Sequence, residues 1–287
     1  MTAIPLATIL WCVAGLLGQP TGDAARERAI ARNLDVPGIF SVAEIDSLLA
    51  AEQGLPTARR VGDWAWRLAS AGGTSYRFGL AEGGYVADGR LAPGTRHDCI
   101  SLVYRTTELA RATSARDALA VALAHRFAGA PAESVVGPDG RVDYDRPEHL
   151  DYSVDMIRSG HWGRDVTARL TGARPDTVGS ARYAPGSVTV VPQAALRPGE
   201  LRHGDVVWFV LAPDDVRAAA LRRDHGLMIG HAGIVAVADG EVWLVHAASR
   251  PLPGEYVTAG VVKVPLTTYL ERVERYTAIV VTRLDDR

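Results

Sequence analysis

Apolar positions recur at helical spacing through the first half of the chain and at strand spacing through its last third. Ser41-Val-Ala-Glu44 has the form of a capping box, in which each end of the tetrapeptide satisfies the other's free N–H, and Gly54 followed by Pro56 closes the predicted helix. Val61, Trp64, Ala65 and Leu68 then fall at i, i+3, i+4 and i+7, predicting a second amphipathic helix that stops near Gly72-Gly73. Residues 79–97 are rich in glycine and polar side chains and read as a loop. Two more helices are predicted over 98–111 and 114–128, the second opened by Ser114 and Asp117 and ended by Gly129 and Pro131. Beyond residue 188 the period changes. Val206–Leu211, Ile229–Val237, Glu241–Ala247, Gly260–Val264 and Thr277–Thr282 are short, β-branched and separated by turn residues. Helices first and strands later is an α+β pattern. Residues 140–185 carry little periodicity and read as an insertion of loops and short helices.

Composition narrows the function classes. The chain has 287 residues, 47% of them hydrophobic and 22% charged, enough for a large buried core without disulfide staples. A net charge of −2, with the arginines scattered, provides no basic field for nucleic acid. Two cysteines, Cys12 and Cys99, cannot form a disulfide framework. The apolar run Ile4–Gly18 is shorter than the ~20 residues of a membrane span and suits a secretory signal, although no Lys or Arg precedes it. The expected organisation is a signal peptide over 1–22, a helical segment over 23–70 and a catalytic domain over 71–287. Bulky Trp11 argues against a lipid anchor on Cys12. The expectation is therefore an exported protein, periplasmic or extracellular, with no stable span once the signal is removed; oligomeric state is not legible.

Cys99 is the most informative residue. Asp98 before it is a good N-cap, which puts the thiol at the first position of a helix, where free backbone N–H groups and the helix dipole favour negative charge on sulfur. Two histidines complete a constellation. Asp239-Gly240 reads as a two-residue hairpin turn, so Ala238 pairs with Glu241 and paired residue numbers sum to 479. His231 then falls opposite Ala248, and His246 lies two residues away on the same face, a diagonal neighbour within ~7–8 Å. A nucleophilic cysteine needs a base within reach, and the base needs a third group to orient its ring. A zinc site on Cys99, His231 and His246 competes, but the sequence has no C-x-x-C or H-x-x-x-H pair to support it, and no cofactor is expected. His97, His125, His149, His161, His203 and His225 read as solvated or locally hydrogen-bonded, Asp205 as a turn terminator, and Arg222-Arg223 as a surface charge pair.

Taken in order, Tyr76-Arg-Phe-Gly, Asp98-Cys99-Ile-Ser101, Leu196-Arg-Pro-Gly-Glu-Leu-Arg-His-Gly204-Asp205-Val, His231-Ala-Gly-Ile-Val and Val245-His246-Ala resemble the NlpC-type superfamily of papain-like cysteine hydrolases of bacterial cell-wall peptides. The resemblance covers about residues 70–285. The long lead from Tyr76 to Cys99, and Ala-Ala-Ser249 followed by a helix at Tyr269-Leu270, are more similar to its N-acetylmuramoyl-L-alanine amidase-like branch. It implies a papain-like core, with N-terminal helices packed on an antiparallel sheet or small barrel. It also implies Cys99 as nucleophile, His231 as base, His246 as orienting residue, and Tyr76 and Asp98 near the oxyanion and substrate. Ile100-Ser101 departs from the commoner Ser-Gly, and the segments 140–185 and 212–226 are additions that leave substrate preference open. Tyr144, Arg146 and Trp162 within the first are candidate substrate contacts, since loops of that length are commonly functional. The implied partners are muropeptides and the implied bond is MurNAc–L-Ala. The rivals are a γ-D-glutamyl-diaminopimelate endopeptidase and a catalytically idle peptidoglycan-binding module.

Overall fold

A computed structural model describes residues 22–150, 154–178, 186–216, 218–220 and 228–285. The apolar run Ile4–Gly18, Cys12, Arg222-Arg223 and His225 lie outside the described residues. Helices α1 (Gly22–Leu34), α2 (Val42–Ala51) and α3 (Thr57–Ala71) open the described chain. The capping box forms, with Ser41 Oγ accepting from Glu44 N–H and Glu44 accepting from Ser41 N–H at 2.7 Å. In α3 the buried residues are Val61, Gly62, Trp64, Ala65 and Leu68, the stripe expected from the spacing.

Two short strands, β1 (Ser75–Tyr76) and β2 (Arg96–His97), pair in parallel across the glycine-rich loop and lead into α4 (Cys99–Arg111), after which α5 (Ala115–Arg126) packs on α4. Helix α4 is buried nearly all round because α3, α5 and the sheet surround it. The charge that this burial would strand is neutralised within the helix layer: Arg126 donates to both carboxylate oxygens of Glu108, at 2.7 and 2.8 Å.

After the short helices α6 (Ala132–Val135) and α7 (Val154–Ser159), strands β3 (Arg164–Asp165), β4 (Arg174–Val178), β5 (Gly186–Pro192), β6 (Val206–Leu211), β7 (Ile229–Ala238), β8 (Glu241–Ala248), β9 (Gly260–Pro265) and β10 (Tyr276–Arg283) build one eight-stranded sheet. Its order is β4-β5-β10-β6-β7-β8-β9, with β3 also on β10, and every neighbouring pair is antiparallel. Helix α8 (Leu266–Arg272) lies between β9 and β10 in the chain and packs on β8 and β9. The α+β expectation holds. The reading of 140–185 as loops and short helices is corrected: β3 and β4 lie there, stabilised by long-range pairing to β10 and β5 rather than by any pattern of their own.

Each face of the sheet carries a core. Trp208, Val210, Ala232, Ile234 and Val245 join the larger cluster with α1, α3, α4 and α5. Val207, Phe209, Leu211, Val235 and Leu244 join a second cluster with Leu266, Tyr269 and Tyr276. Central strand β6 is buried on both faces, which explains its unbroken apolar run.

Candidate active site

The β7–β8 turn fixes where the two histidines go. Asp239 and Gly240 both have positive φ, 52° and 79°, as a two-residue turn matching the strand twist requires. The register follows, from Ala238↔Glu241 to Ile234↔Val245. On the other edge of β7 a bulge interrupts the pairing: Phe209 faces His231, and Val210 then faces Ile229, so Gly230 is the extra residue. The bulge lets Ile229 and Ala232 both enter the larger core while His231, opposite Phe209, packs beside that ring. Gly233 is required next to it, because a Cβ there would lie 3.2 Å from His246 Cβ and 2.6 Å from Leu244 Cδ1.

Both imidazoles are buried, and His231 Nε2 lies 2.9 Å from His246 Nδ1. The rings are nearly perpendicular, at 88°. One proton is shared across this hydrogen bond, and the ring of His231 still has Nδ1 to offer elsewhere. A zinc ion bound to both nitrogens at ~2.0–2.1 Å in tetrahedral geometry would hold them farther apart. Among the described residues no group of three His, Cys, Asp or Glu side chains is placed to hold a metal.

Three tyrosines that the sequence pattern did not single out as site residues enclose the pair. Tyr276 stacks on His231 at an interplanar angle of 13°, Tyr269 packs on both histidines, and Tyr256 meets the edge of His246. They come from β10, α8 and the β8–β9 connection, so only tertiary packing assembles them. Burial pushes His231 down to about 3, with the Arg275 cation adding to the effect, and pushes His246 well below its ordinary value, with His231 adding. Both rings are therefore neutral at pH 7.

Cys99 occupies the first position of α4 and is buried. Asp98 caps the helix: its Oδ1 accepts from Ser101 N–H at 2.7 Å, its Oδ2 from Gly79 N–H at 2.8 Å, and its own N–H donates to Ser101 Oγ. The Asp98 carboxylate is thus engaged in holding the helix start and the 79–97 loop. Burial raises its pKa, against the hydrogen bonds that lower it. Negative charge on Cys99 disfavours ionisation of Tyr76, Tyr269 and Tyr276, and each keeps its proton well past its ordinary range, chiefly through burial. Two of these, Tyr269 and Tyr276, also pack on His231, and α4, which carries the thiol, packs on β7 and β8, which carry the histidines.

The remaining candidates are placed elsewhere. The Tyr144 hydroxyl sits between Arg126 Nη1 and the Arg90 carbonyl, at 2.8 and 2.7 Å. Trp162 is 1% exposed and packs on Tyr104. Arg146 lies 3.6 Å from Glu148 in a part-exposed ion pair. Expected as ligand surface, Tyr144 and Trp162 instead spend their rings on core packing. Asp205 accepts both guanidinium donors of Arg283, at 2.6 and 2.7 Å, and His203 accepts from Val237 N–H, so both pin strands together.

No protein-family model matches the chain, and no curated protein matches it in sequence. Solved structures do. LPG0564 from Legionella pneumophila, of the family DUF1460, has a TM-score of 0.62 at 15% identity, over 85% of this chain and 95% of that one. A proposed xylanase from Bacteroides fragilis has a TM-score of 0.51 at 20% identity, over 74% and 96%. An N-acetylmuramoyl-L-alanine amidase from Bacteroides uniformis has a TM-score of 0.47 at 21% identity, over 67% and 84%. The first two share the fold of this chain; the third is too dissimilar to bear on the site.

Proposed function

We propose that this chain is a cysteine-dependent peptidoglycan amidohydrolase that cleaves the amide between the lactyl group of N-acetylmuramic acid and L-alanine. The observation that carries the reading is the buried, hydrogen-bonded His231–His246 pair on two strands against which packs the helix that has a thiol at its first position. The substrate class rests on the resemblance of the motifs around Tyr76, Cys99, His231 and His246 to cell-wall cysteine hydrolases.

In this reading His231, neutral because it is buried, takes the thiol proton as Cys99 Sγ attacks the amide carbonyl. The oxyanion receives the Cys99 backbone N–H and the Tyr76 hydroxyl, which stays protonated and so remains a donor. Protonated His231 passes the proton to the departing amine of L-alanine, leaving a thioester on Cys99. His231 then deprotonates water, which attacks the thioester and frees the muramyl carboxylate and the thiol. His246 accepts from His231 Nε2–H throughout, fixing the ring and stabilising its charged form. Asp98 acts on Cys99 through the helix start and is a positioning residue.

An exported protein is part of the same proposal, because cell-wall fragments are generated outside the cytoplasm; among the described residues no helix is long and apolar enough to cross a membrane. Digestion of a MurNAc-tripeptide tests the bond assignment by mass. Free tripeptide beginning with L-alanine supports it. MurNAc-dipeptide with free diaminopimelate overturns it in favour of the endopeptidase, and binding without turnover in favour of the idle module.

A further inference from the structure

A second set of buried polar groups lies along α4 and the segment before it. A cavity of about 270 Å³ opens between the α1–α2 connection and α4, walled by apolar side chains that include Phe40, Leu68, Leu109 and Leu119. His97 and Arg105 line it, and nothing in the proposed hydrolysis uses either. His97 is 1% exposed, and neither ring nitrogen makes a hydrogen bond; the Gly94 carbonyl is near enough to favour a charged ring but is not in bonding geometry. Arg105 Nη1 is buried without a partner. Glu108, the carboxylate that most favours its charge, already accepts two bonds from Arg126. The acidic residue of the lining, Asp35, is exposed at the rim.

A buried guanidinium nitrogen without a hydrogen-bond acceptor is costly, and so is a buried imidazole with both nitrogens idle. One ligand would satisfy both. We propose that this cavity binds a small organic carboxylate with an apolar body, its carboxylate on Arg105 and His97 and its body against the Phe40–Leu119 wall. The volume lies just under the ~300 Å³ at which pockets begin to hold drug-sized molecules, which sets the ligand at the scale of one aromatic or short aliphatic acid. The arrangement matches the general form of a ligand site: apolar walls, with few polar groups converging on one end. Burial, and secondarily the Arg105 cation, holds His97 down to about 4, so the neutral ring has one N–H to donate to the carboxylate.

Calorimetric titration of the full chain with 3-phenylpropionate and with its amide, 3-phenylpropionamide, tests the proposal. The acid should bind at least ~10-fold more tightly than the amide, as a charge-assisted hydrogen bond in a buried site requires. Arg105→Met should remove that preference while keeping the native circular-dichroism spectrum. Binding should survive alkylation of Cys99, which separates this site from the proposed hydrolytic cleft. Equal binding of acid and amide by the native chain overturns the proposal without reference to any variant. Retention of the acid preference in Arg105→Met, or its loss on alkylation, also overturns it.

Discussion

Acidification from pH 7.5 to 5 should cost this protein about 4 kcal/mol of folding stability through two histidines, well before most carboxylates titrate. The perturbation acts chiefly on two histidines buried neutral, His97, held at about 4, and His231, at about 3; His246 and the half-buried His125 are lowered in the same direction. The sign follows from proton counting. Between a folded value of 3–4 and an ordinary value of 6.5 the unfolded chain binds protons that the folded chain refuses, so stability rises with pH through that window and falls as pH drops below 6.5. At pH 5 each such group contributes ~2 kcal/mol of loss, from 2.303RT per pKa unit between pH 5 and 6.5. His97 and His231 together remove ~4 kcal/mol, a large fraction of the stability of many domains. Asp98 works in the opposite sense, since its raised pKa makes protonation easier in the folded state, but it is one group against several. Urea unfolding at pH 7.5 and 5 measures the difference, and His97→Gln should shrink it by about 2 kcal/mol because glutamine takes up no proton. A pH-independent unfolding free energy, or a His97→Gln variant as acid-sensitive as the parent, would refute the reasoning.

Four further outcomes are expected. Cys99→Ala and His231→Ala should each abolish muropeptide turnover with the fold intact, His246→Asn should retain part of it, and the Cys99/His231 double variant should be little worse than either single one, as liquid chromatography of the products would show. Turnover by the native chain should be unchanged by a chelator; loss that added metal restores would reverse the reading of the histidine pair. Glu108→Gln should destabilise by ~3–5 kcal/mol in urea melts, because it strands the buried Arg126 charge. Gly233→Ala should cost ~1–3 kcal/mol and lower kcat more than KM, because its Cβ would press on Leu244 and on the Cβ of His246.

The sequence by itself determined whatever depends on neighbours along the chain. The α2 cap at Ser41 and Glu44, the α3 stripe through Trp64, the Asp98 cap that puts Cys99 first in α4, and the Asp239-Gly240 turn are local devices, and each formed as its spacing predicts. The turn reached furthest, since it set the pairing from Ala238↔Glu241 to Ile234↔Val245, and His231 and His246 beyond it meet on one face as strand alternation predicts. Local pattern then ran out. Strands β3 and β4 have no period of their own and exist because β10 and β5 offer them hydrogen-bonding edges. Tyr144 and Trp162 looked available in sequence and became core, because burial is decided by what folds over a residue. The enclosing Tyr256, Tyr269 and Tyr276, the bulge at Gly230, and the cavity joining His97 to Arg105 were decided by tertiary structure alone. Each brings together groups from different elements, and the free energy that holds them there comes from packing across the two faces of the sheet rather than from any preference of the local chain.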